Sequence, residues 1–92
     1  MIGPHERSKM TEYGVPGYMQ DALVSYFNDH QSTGHFLTAV LENDLMGAMN
    51  HADSTNKKAI PAYAMWLYNH ADVGAFGSKE KVKAWLENKE AA

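Results

Sequence analysis

Apolar side chains in this sequence recur at the spacing of an α-helix, and no stretch of useful length alternates as a β-strand would. Met19, Leu23, Tyr26 and Phe27 stand at i, i+4, i+7 and i+8, which is one helical face. That pattern predicts a first helix over about Tyr18 to Asn28. Asp29, Gln31, Ser32 and Gly34 then make a turn, and Thr33 is placed to cap the next helix.

A second helix is predicted from His35, with Phe36, Leu37, Val40 and Leu41 as its stripe. Asn43 and Asp44 compete for backbone hydrogen bonds and favour caps over helix interiors. Two arrangements are open. In the preferred one Asp44 caps a separate short helix from Leu45 to His51, with Leu45, Ala48, Met49 and Ala52 buried. In the other a single helix spans His35 to His51. Asp53, Ser54 and Thr55 are three successive candidate caps for a longer helix ending near Asn69. Ile60, Tyr63, Ala64, Leu67 and Tyr68 form its expected inner face. Pro61 inside that run implies either a late start near Ile60 or a bend. Ser78 caps a last helix from Lys79 to about Asn88, on which Val82, Trp85 and Leu86 face inward, and the Glu-rich tail beyond it is expected to fray.

The expected fold is therefore all-α, a compact bundle of four or five short helices with no significant sheet. Residues 1–17 show no helical period and hold Gly3, Pro4, Gly14, Pro16 and Gly17. They are read as a flexible arm, leaving residues 18–92 as one helical domain. Ninety-two residues without a cysteine must be held by packing alone, since disulfides and thiolate zinc sites are excluded. Met19, Met46, Met49 and Met65, with Trp66 and Tyr18, exceed what one small core would bury, so a homo-oligomer is expected.

A net charge of −3 gives no basic face for general nucleic-acid binding. No run of about 18 apolar residues would cross a membrane. The N-terminus lacks an apolar signal core, so the chain is expected to stay where it is made.

The segment Ala71 to Ser78 is the candidate site. Gly74 and Gly77 permit unusual backbone angles and close approach of a ligand. The loop runs into a helix start, where free N–H groups favour an anion. Backbone N–H groups at Gly77, Ser78 and Lys79 would hold a phosphate. Phe76 or Tyr68 would stack on a base, Asn69 or His70 would read its polar edge, and His35 in Thr33-Gly34-His35-Phe36 would form the opposite wall. Each has a structural alternative: a capped turn, an aromatic plug for the core, a helix C-terminus, a plain connection. The pattern is neither a Walker loop nor a dinucleotide fingerprint.

Catalysis is not expected. Ser78 and His70 have no third member or oxyanion hole, and Asp44, Asp53 and Asp72 sit where caps belong. His5, His30, His35, His51 and His70 lack the spacing of a metal motif, so neither a metal nor a cofactor is expected.

Phe36-Leu37-Thr38-Ala39-Val40-Leu41-Glu42-Asn43-Asp44-Leu45 is similar to a segment of small proteins of phages and prophages. The resemblance continues through Ala52-Asp53, Asn56, Leu67-Tyr68-Asn69, Gly77-Ser78 and Ala84-Trp85-Leu86, covering roughly Val15 to Asn88. That family tends to carry a Cys-Trp pair before the Gly-Ser. Here Ala75 and Phe76 stand there, which puts any activity of the pair in doubt while keeping an aromatic. The resemblance implies a phage origin, and a location in the cytoplasm of an infected bacterial host, more than a mechanism. On that footing the leading expectation is a non-enzymatic phage accessory protein that sequesters a small anionic, nucleotide-type ligand such as a host immune signal. The alternative is a protein-binding inhibitor or adaptor acting on a host defence or phage protein.

Overall fold

The computed structural model describes residues 2–88, which form six α-helices and no strand. In chain order these are α1 (Pro4–Tyr13), α2 (Gly17–Asp29), α3 (His35–Leu41), α4 (Leu45–His51), α5 (Ser54–His70) and α6 (Lys79–Glu87). The fraying expected of the Glu-rich tail falls on residues 89–92, outside the described residues. The radius of gyration, 12.1 Å, is that of a compact chain of this length.

Caps decide most boundaries. Asp53 Oδ1 accepts from the Asn56 N–H at 2.7 Å, and Ser78 Oγ from the Lys81 N–H at 3.1 Å. Asp44 serves two helices. Its own N–H closes α3 by donating to the Ala39 carbonyl at 2.8 Å, while Asn43, left-handed at φ 64°, donates to Val40. That pair of bonds is a Schellman ending. The Asp44 carboxylate then caps α4 by accepting from the Gly47 N–H at 3.0 Å. The separation of α3 from α4 rests on Asn43 and Asp44 together.

The expected count of four or five helices falls short because residues 4–13, read as an arm, are helical. Pro4 takes the first turn, where its missing N–H costs nothing, and Gly14, at φ 103°, closes α1. Only Met10 of this helix is buried, so the sequence carries no amphipathic stripe to announce it. Its stability is tertiary. Trp66 Nε1 donates to the Glu6 carbonyl at 2.8 Å, and Ile2 and the Asn28 side chain exchange two hydrogen bonds. Trp66, expected to contribute to a sticky surface, is thereby fully buried beneath α1.

Of the two arrangements open for α5, the structure has the early start: the helix begins at Ser54 behind the Asp53 cap, and Pro61 lies within it, leaving the Lys57 carbonyl without its usual helical donor. One further expectation is corrected. Leu45 and Met49 are not buried on α4, nor Ala64 and Tyr68 on α5; of these helices' expected inner residues, Ala48, Tyr63 and Leu67 are buried. The difference arises because α4 and α5 leave a groove between them.

Trp66, Tyr26, Tyr63, Met10, Leu23, Leu37 and Leu41 are the largest fully buried side chains. The aromatic ones are tied down at their polar ends, as burial demands. Tyr26 OH donates to the Ala75 carbonyl at 2.6 Å, Tyr63 OH to Asn56 Oδ1 at 2.6 Å, and Trp85 Nε1 to the Tyr26 carbonyl at 2.7 Å. The Tyr26 and Trp85 bonds fasten α6 and the loop before it to α2.

Candidate functional site

The loop between α5 and α6 is pinned along its length. Asp72 Oδ1 accepts from the Gly74 N–H at 3.0 Å, and the Asp72 carbonyl accepts from Ala75 at 3.0 Å. Ala75 is fully buried, with its carbonyl held by Tyr26. Gly77, at φ 115°, donates its N–H to the Leu41 carbonyl at 2.7 Å. A side chain would strain that backbone conformation. Lys81 Nζ reaches back to the Val73 carbonyl at 3.3 Å.

These bonds bear on the expected phosphate cradle. The Gly77 N–H is already spent on α3, and the Ser78 hydroxyl oxygen on the Lys81 N–H. Lys79 is exposed at the start of α6. Asn69 Nδ2 donates to the Met65 carbonyl of its own helix at 2.8 Å. His70 turns toward α1, its Nε2 3.3 Å from Tyr13 OH, beside a small hollow that also takes Asp72 and Trp85. His35 stacks on His51.

Three of the eight expected residues do meet. Tyr68, Phe76 and Gly77 line one groove, of about 690 Å³, between α3, α4, α5 and the loop. Val40, Ala48, Ile60, Ala64, Leu67 and Phe76 give it apolar walls. Leu45, Met65 and Tyr68 also line it and remain 56%, 52% and 84% exposed, which is unusual for side chains of that size. Asn43 and Asp44 supply the polar end, and among the described residues Asp44 is the only charged one in the lining. The volume falls within the range of natural binding clefts. Leu45, Ala48, Ile60, Pro61, Ala64 and Met65 were absent from the sequence-derived site. Of these only Met65 was among the apolar residues that the sequence marks as surplus to one core; Leu45, Ala48, Ile60 and Ala64 fit the pattern of an inner face.

The groups whose proton affinity the fold shifts have structural causes. Burial raises Tyr26 to about 12 and also pushes Tyr63 upward. The Asn56 N–H, and then the Tyr18 hydroxyl at 2.7 Å, hold the Asp53 carboxyl below its ordinary range. None of these residues lines the groove. Among the described residues no three His, Asp or Glu side chains converge as metal ligands, and no helix is long and apolar enough to cross a membrane. Comparison with known proteins gives no match to a family model, a curated protein or a solved structure.

Proposed function

We propose that this chain is a non-enzymatic binding module that seats an apolar segment of a protein partner in the groove between α4, α5 and the loop before α6. The carrying observation is the combination of an apolar groove with a rim of exposed Leu45, Met65 and Tyr68. Met46 and Met49 extend that exposed surface along α4. Flexible methionines adapt to a partner's shape, and tyrosine is enriched among the residues that carry most of the energy of such contacts. An amphipathic helix laying apolar anchors at i, i+3 or i+4, and i+7 into the groove is the recognition mode this shape favours. Asp44 favours a basic residue at one end of that segment.

Tyr68 and Phe76 lie where either ring could stack on a base, which is what supports a nucleotide ligand instead. Against it, no Lys or Arg lines the groove among the described residues, where the one charge is the carboxylate of Asp44. A phosphate there would meet repulsion rather than a cradle. In the setting that the phage-type resemblance implies, the module would act as an inhibitor or adaptor of a host or phage protein.

The test is selection of displayed peptides on the immobilised protein. Enriched peptides should carry apolar residues at helical spacing. Their affinity should fall at least about tenfold in Ala64→Trp, which fills the groove, and in Met65→Asp, which charges its rim. Binders lacking that spacing, or indifferent to both variants, would overturn the proposal. A melting-temperature rise with nucleotides that is lost in Lys79→Ala would favour the anion site in its place.

A further inference from the structure

His35 opens α3 and His51 closes α4. The turn at Asn43 and Asp44 folds these helices back on each other, so their far ends meet. The two imidazole rings lie there with centroids 5.1 Å apart and planes inclined by 24°. Both residues are exposed. Two other histidines are already committed: His30 Nδ1 to the Trp85 carbonyl at 2.8 Å, and His70 Nε2 to Tyr13 OH at 3.3 Å.

The geometry points to a two-histidine chelate for a divalent transition ion at the open end of the α3–α4 hairpin. A tetrahedral zinc ion takes imidazole nitrogens at about 2.0–2.1 Å, which sets each ring centroid roughly 3.2 Å from the metal and two centroids roughly 5.2 Å apart. The observed centroid separation already matches that value, and rotation about the side-chain bonds would have to turn a nitrogen of each near-parallel ring toward a common point. Imidazole donors select zinc, nickel or copper over magnesium and calcium, which prefer oxygen. Among the described residues no third His, Asp or Glu converges on the pair, so water completes the coordination. Such a site is open and exchangeable rather than a closed structural centre. Bound metal would link the start of α3 to the end of α4 and stiffen the helix that supplies one groove wall. The inference is independent of what the groove binds.

The test is calorimetric titration of the full, untagged chain with zinc at a pH about one unit above the ordinary histidine value, so that imidazoles are neutral. One ion should bind per chain and raise the melting midpoint. His35→Ala and His51→Ala should each weaken binding at least about tenfold and abolish the rise, while His5→Ala leaves both unchanged. The ring signals of His35 and His51 should shift in nuclear magnetic resonance spectra as zinc is added. Both substitutions are at exposed positions, and metal-free melting of each variant checks that it folds. Absence of binding, binding that survives in the double variant, or an equal response to magnesium would each refute the chelate.

Discussion

Replacing glycine with alanine inside a helix ordinarily stabilises it by about 0.8–1.0 kcal/mol. At Gly47 the sign should reverse. A β-carbon there would stand 2.8 Å from Asp44 Cγ and closer still to Oδ2, within the carboxylate that caps α4. The carboxylate must swing away, and with it goes a cap of about 1 kcal/mol. Its favourable position at the helix N-terminus is worth roughly a further 0.3–1 kcal/mol. Gly47→Ala should therefore leave the protein about 0.5–1 kcal/mol less stable, not more. In an Asp44→Ala background the conflict is gone, and the same substitution should recover most of its ordinary gain. Urea unfolding of the four proteins closes the cycle, with a coupling of roughly 1.5 kcal/mol between the two positions and unchanged slopes. Equal stabilisation by Gly47→Ala in both backgrounds would show that the Asp44 carboxylate does not hold the start of α4.

Trp66→Phe removes the bond to the Glu6 carbonyl and part of a fully buried ring, so it should cost roughly 2–3 kcal/mol. Amide exchange should accelerate in α1 more than in α5. Tyr26 has a folded value near 12, above its ordinary 10, so its contribution to stability is complete below pH 10 and is lost as pH rises toward 12. Alkaline unfolding followed by tyrosine absorbance should fall in that window, and Tyr26→Phe should weaken this pH dependence while lowering stability at neutral pH. Tyr68→Ser and Met65→Asp, both at exposed rim positions, should change unfolding free energy by no more than about 0.5 kcal/mol, which separates the groove's binding role from the core.

The parts of the fold legible in sequence were those written locally. Asp44, Asp53 and Ser78 mark helix starts by the chemistry of their own side chains, and the helices they open begin where that chemistry places them. α1 was not legible because only Met10 is buried along it and much of its support comes from Trp66 and His70, far away in the chain. The same reason hid the role of Trp66 itself. Within the loop, Gly77 stands out in the sequence, but the acceptor of its N–H is Leu41, and no local pattern indicates that pairing. The groove was hidden because it exists only where α4 and α5 fail to cover each other.

The attachment of α1 also sets a schedule. Glu6 and Trp66 are 60 positions apart, and Tyr26 and Trp85 are 59. A ten-residue helix is marginal alone in water. At ribosomal rates of about 5–20 residues per second, α1 is synthesised roughly 3–12 s before the tryptophan that holds it. The first helix to be made is thus among the last to be secured.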